Sequence, residues 1–205
     1  ERLQSPTVQI AGQPATVTGS GATWTATYTV VSNQVVEGRV TMSVAYADVA
    51  GNTGTAVSST SDGNHVLIDL TPPKIVSASI ASDNTGDTAR ANAGDTIFVS
   101  LEMNEDTNSP IVTIAGRIAT VSGGGRSWRA SYTVVANQVS SGDVPFTVVF
   151  KDIAGNAGSD NSAAVATGKV TIDLTAPTVQ TARLKSDNTG NTATANAGDT
   201  ITLAL

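Results

Sequence analysis

The chain has no cysteine, a single histidine, and only 11 basic residues against 17 acidic ones among its 205. Without cysteine, neither disulfides nor a zinc–thiolate site can hold it, so stability must come from packing or from another kind of cross-link. The net charge of −6 and pI near 4.5 argue against nucleic acid or anionic lipid as a partner; an acidic surface attracts cations instead. No apolar run approaches the roughly 20 residues that a membrane span needs, and no signal peptide opens the chain. A helical period is missing too. Runs rich in Thr, Val, Ser and Ala alternate at a period of two and are broken by turn residues, which is an all-β pattern.

What is there is repetition. Val66–Pro73 (VLIDLTPP) returns as Val170–Pro177 (VTIDLTAP), and the same 104-residue offset links Trp24 to Trp128, Tyr28 to Tyr132, Asp48 to Asp152 and Ser82 to Ser186 without a gap. Proline lacks a backbone N–H and forces the preceding residue extended, so each copy reads as a last strand leaving one module and a stiff link entering the next. The chain is a tandem array: 1–73 is a module without its first two strands, 74–177 a complete module, and 178–205 the first two strands of a third.

Seven strands are expected in the complete module. Strand A is Ile75–Ile80. Strand B is Thr96–Met103, with Ile97, Val99, Leu101 and Met103 on one face and Phe98 as the exception on the other. Strand C is Ile111–Ile114, and D is Ile118–Val121 after a tight turn at Ala115–Arg117. Strand E carries Trp128, Ala130, Tyr132 and Val134, the aromatics being expected core anchors. F carries Phe146, Val148 and Phe150, and G is Lys169–Leu174. Seven short strands with one buried face each make a two-sheet sandwich, so the fold class is all-β, tandem immunoglobulin-like β-sandwiches without disulfides.

The patterns at Asp48–Asn52 and Asp152–Asn156 (Asp-Xaa-Ala-Gly-Asn), at Ile68–Pro73 and Ile172–Pro177, and at Ala93–Ile97 and Ala197–Ile201 resemble the bacterial Ig-like repeats of giant secreted adhesins. The period is similar to that of the extender modules of RTX-type adhesins. The resemblance covers the whole chain and is specific for architecture rather than for one protein. It implies a secreted, cell-surface spacer that projects a distal binding domain, with a part in adhesion and biofilm, and with calcium stiffening the joints.

Alternation of strand direction puts the B–C and F–G loops of one module beside the exit of the module before it. Asp69 should therefore sit near Glu105, Asp106 and Asp152, with Asn156 able to offer a side-chain carbonyl; Asp48 and Asp173 hold the corresponding places in the other copies and join the candidate ligands. Converging carboxylates repel one another unless a cation lies between them, and calcium takes six to eight hard oxygen ligands. The alternative is turn chemistry alone, since Asp-Xaa-Ala-Gly-Asn also caps local backbone around a positive-φ glycine. The loop at Ser82–Asp87 is a weaker site, because Asp87 becomes Asn191 in its copy.

An enzyme is not expected. A serine triad would have to be built on His65, whose counterpart is Lys169, and there is no Gly-Xaa-Ser-Xaa-Gly elbow. The Gly123–Gly125 run leads into no helix, so it is a hairpin loop rather than a phosphate cradle. A recognition module for glycan or protein is the alternative function; it predicts exposed aromatics in a loop, whereas both tryptophans fall in the alternating face of strand E. Partners are neighbouring repeats of the same chain or head-to-tail copies. Glu1 aligns with Glu105 and Leu205 with Leu101, so the sequence reads as a piece of a longer array whose export signal lies elsewhere. Either the array continues on both sides, or the tail of one molecule completes the first module of the next as a fibre.

Overall fold

The computed structural model describes residues Glu1–Leu205. Residues 7–68 form seven short strands: β1 (Thr7–Ile10), β2 (Gln13–Pro14), β3 (Thr16–Ser20), β4 (Thr23–Thr27), β5 (Gly38–Arg39), β6 (Met42–Ala45) and β7 (Leu67–Ile68). They make three small sheets, β2-β1-β6, the β3–β4 hairpin and β5–β7. Ala11 and Gly12 between β1 and β2 both have positive φ, as the tightest hairpin turns require.

The next stretch contains β8 (Ile75–Ser82), β9 (Arg90–Ala91), β10 (Thr96–Met103), β11 (Ile111–Ile114), β12 (Arg117–Ile118), β13 (Thr120–Gly124), β14 (Ser127–Thr133), β15 (Gly142–Asp143), β16 (Phe146–Val149), a one-turn helix α1 (Ser162–Val165), β17 (Ala166–Thr167) and β18 (Thr171–Ile172). A five-stranded sheet, β13-β14-β10-β8-β17, packs over β12-β11-β16 and β15-β18-β9. Seventeen buried residues form one core between them, with Ile97, Val99, Leu101 and Met103 of β10 facing Val112, Ile114, Val148 and Ile172. The chain is thus all-β, a tandem of immunoglobulin-like β-sandwiches with no disulfide. A final antiparallel hairpin, β19 (Arg183–Ser186) with β20 (Ile201–Ala204), pairs only with itself.

Several strand expectations change. Strand D is not one strand. It breaks at Ala119, which is buried and donates its N–H to Val112 O, so Arg117–Ile118 joins one sheet and Thr120–Gly124 the other. Strand G is regular only over Thr171–Ile172, because its neighbours β15 and β9 are themselves two residues long. Trp128 and Tyr132 are half-buried at the margin of the core, whose centre is Ala130 and Val134; the Trp128 indole N–H donates to Thr107 Oγ1 at 2.9 Å. Phe98 lies on the outer face, beneath the Arg129 guanidinium at 4.0 Å. The helix α1 has no sequence forecast; Asn161 holds it against β8 by accepting from Ile75 N–H and donating to Ile75 O.

Candidate metal centre

The turn at Asp152–Asn156 is built by its own first residue. Asp152 Oδ1 accepts from the backbone N–H of Gly155 at 2.6 Å and of Asn156 at 2.8 Å, and Oδ2 accepts from Asn156 Nδ2 at 2.8 Å. Gly155 takes φ +102, which a side chain would strain. Asp48 repeats the arrangement with Ala50 N–H, Asn52 N–H and Asn52 Nδ2. In both copies the carboxyl sits below the usual carboxylate range. For Asp152, burial pushes upward but is outweighed by the Asn156 side chain and by the N–H groups of Asn156, Gly155 and Ala154; for Asp48 the Asn52 side chain and N–H are the main cause.

The carboxylates of Asp69, Glu105 and Asp152 converge, with one oxygen of each within 4.8 Å of the others. Asp69 comes from the exit of β7, Glu105 from the loop after β10, and Asp152 from the loop after β16, so the cluster straddles the link between the two modules. None of the chain's three ion pairs reaches it. Two ligands on opposite sides of a calcium ion, each about 2.4 Å away, lie about 4.8 Å apart. An oxygen-only donor set without histidine or cysteine suits calcium or another hard cation rather than zinc.

The remaining candidate residues fall elsewhere. Asp106 points away and pairs with Arg126 at 3.4 Å. Asn156 lies beside the cluster, but instead of presenting a carbonyl it directs Nδ2 to Asp152 and to the backbone carbonyl of Asp69, at 3.1 Å. Asp173 is exposed and accepts from Thr175 N–H at 2.9 Å, the same local bond that Asp69 takes from Thr71 N–H. In the Ser82–Asp87 loop, Asp83 accepts from Thr96 N–H and Asp87 pairs with Arg90, and Asp95 farther along accepts from Asn92 N–H, which is ordinary loop chemistry.

Two residues of the joint escape sequence reasoning. Glu37 Oε1 accepts from Leu70 N–H and from the Thr71 hydroxyl, both at 2.7 Å, clamping the link to the first module; these bonds, the Thr71 hydroxyl foremost, hold its carboxyl below the usual range. Asn104 exchanges two hydrogen bonds with the backbone of Lys74 on the other side. The signal for Glu37 was slight: its counterpart Ser141 bonds Leu174 N–H in the same way but is a different residue type.

No family model and no curated protein matches the chain. Among solved structures it is similar to fibronectin(III)-like modules of Clostridium thermocellum CbhA, at 11% identity over 84% of this chain and 78% of that one, with a TM-score of 0.34. It is also similar to SGBP-B of the Bacteroides ovatus mixed-linkage glucan utilization locus, solved with a mixed-linkage heptasaccharide, at 19% identity over 82% of this chain and 39% of that one, with a TM-score of 0.23. The fold assignment rests on the chain's own sheets and core.

Proposed function

We propose that this chain is a structural spacer of a bacterial surface adhesin: non-catalytic, secreted to the cell surface, and stiffened at the joint between modules by a calcium ion on Asp69, Glu105 and Asp152. The observation that carries the reading is the convergence of these three carboxylates from both sides of the link with no cationic side chain among them. No helix is long and apolar enough to cross a membrane. The mechanism is mechanical. Glu37, Asn104 and the buried Pro73 already limit the swing of the link, and an ion bridging Asp69 to Glu105 and Asp152 removes much of what remains.

With a dissociation constant of about 0.1 mM, the tight end for extracellular modules, and calcium at about 10 mM, mass action adds about 2.7 kcal/mol to the bound state. Glu105→Gln removes one ligand and leaves the Asp152 turn intact. The parent should melt higher in calcium than in EDTA and lengthen in small-angle scattering; Glu105→Gln should match the parent in EDTA and lose the calcium response. A parent melting curve indifferent to EDTA would remove this mechanism.

A second reading, a glycan-recognition module, draws on the outer face of the five-stranded sheet. Phe98 and Arg129 stack there beside Glu102 and a shallow groove of about 480 Å³ rich in serine, and their counterparts are Thr202 and Thr25. Loss of soluble-glycan binding on Arg129→Ala, with the calcium response unchanged, would favour it.

A further inference from the structure

The outer face of the five-stranded sheet carries few large side chains. Its residues stand in rows set by the strand register: Ser122, Arg129, Ser100 and Ser79 make one row, and Ser127, Glu102 and Ser77 the next. All seven are exposed, whereas Val99 and Leu101, on either side of Ser100 in β10, are buried on the inner face. The shallow groove of about 480 Å³ runs across these rows, and Arg129 and Glu102 are the two charged residues that line it. The rest of its lining is mainly serine, threonine and glycine, so hydroxyl groups dominate the floor.

Arg129 is the one arginine of residues 74–177 without a polar partner. Arg90 and Arg126 are in ion pairs, and Arg117 donates to Gln138 O. The Arg129 guanidinium instead lies over the Phe98 ring, 4.0 Å from its centroid, and enters none of the three ion pairs. Glu102 is two residues along β10 from Ser100, the cross-strand partner of Arg129, yet it takes the Ser127 hydroxyl at 2.6 Å. Donor and acceptor thus stand side by side without neutralising each other. Stacking fixes the plane of the guanidinium and leaves the N–H fork at its edge open, the geometry that grips a carboxylate through two parallel bonds. A ligand that satisfies the whole face brings a carboxylate for Arg129 and hydroxyls that donate to Glu102 and exchange bonds with the serines.

We propose that this groove binds a glycan through a single uronate residue, its carboxylate held by Arg129 and its neighbouring hydroxyls by Glu102, Ser100 and Ser79. The site rests on the glycan-recognition reading and adds to it the charge of the ligand. A polyanion is disfavoured, because the chain carries a net charge of −6 and the groove a carboxylate of its own. One uronate in an otherwise neutral glycan meets one cation and one anion. An acidic peptide supplies the carboxylate but few hydroxyl donors for Glu102, and the hydroxyl-rich floor offers its side chains no apolar pocket. The first module has Thr25 where the second has Arg129, so the guanidinium site belongs to the second module.

The test is titration calorimetry of the 205-residue chain with three probes: xylotriose bearing one glucuronic acid, the methyl ester of that acid, and xylotriose alone. EDTA is present throughout, so the result does not depend on the metal centre. The acid should bind at least about tenfold more tightly than the ester or xylotriose, the loss expected when charge-assisted bonds are removed. Arg129→Ala, a change at an exposed side chain, should keep the parent's circular dichroism and bind the acid no better than the ester. Phe98→Leu leaves the charge but removes the ring that orients it, and should weaken the acid by about two- to fivefold. Equal affinity for all three probes overturns the uronate assignment while glycan recognition stands, and binding of none removes both. Parent-like binding of the acid by Arg129→Ala, or tighter binding of a tetraglutamate peptide than of the acid, also overturns the proposal.

Discussion

The Asp152 carboxylate accepts three local hydrogen bonds and still faces Asp69 and Glu105. Turn former and cation ligand, which the sequence leaves as alternatives, are compatible here because a carboxylate has about four acceptor sites and the turn occupies three. Asp106 shows the opposite lesson. It is acidic and adjacent to Glu105, yet it turns to Arg126, and nothing in the local sequence distinguishes the two. Glycine has a comparable role at one position that patterning does not reveal. A Cβ at Gly158 would fall inside contact distance of the Phe150 ring, and one at Gly54 would meet Tyr46 in the same way. Gly158→Ala should therefore cost about 1–3 kcal/mol by overpacking, read in thermal melts. Gly54→Ala should cost less, because Tyr46 borders an open core and has room to turn aside.

At the scale of elements, strands with clean alternation were the most legible. Thr96–Met103 and Ile111–Ile114 have the bounds that alternation predicts, because inward and outward positions are set by the strand's period of two. Elements held by distant partners were not. The helix α1 is four residues long, far below the length at which a helix holds itself, and depends on Asp160, which accepts from Ser162 and Val148 N–H, and on Asn161 against β8. The Asp152 turn has a pH consequence. Its carboxyl titrates lower in the folded chain than the ordinary value of about 3.9, so near that pH the unfolded chain binds more protons. The turn's contribution is thus fully present above the unfolded pKa and is lost as pH falls through the folded one. Melting temperature in EDTA should fall between about pH 5 and pH 2. Asp152→Asn should flatten part of that fall, leaving the part due to Glu37, Asp48, Asp62, Asp143, Asp160 and Asp199, which are lowered too.

Across the whole molecule, the second module owns a closed core of seventeen residues and the first an open one. Local stability should follow that contrast. Amide hydrogen exchange should be slow along β10 and β14 and fast along β4 and β20, and equal protection across the four strands would contradict it. The sequence by itself determined the clearly alternating strands such as Thr96–Met103, the tight turns, the tandem period and the absence of disulfides, since alternation, positive-φ glycine, proline stops and Asp capping all act within a few residues. Only the tertiary structure decided which acidic residues converge, Glu105 and not Asp106, and that strand D breaks at Ala119 between the two sheets. Carboxylate convergence and the sheet a short strand joins depend on which distant segments meet there, and residues a few positions apart carry no record of that.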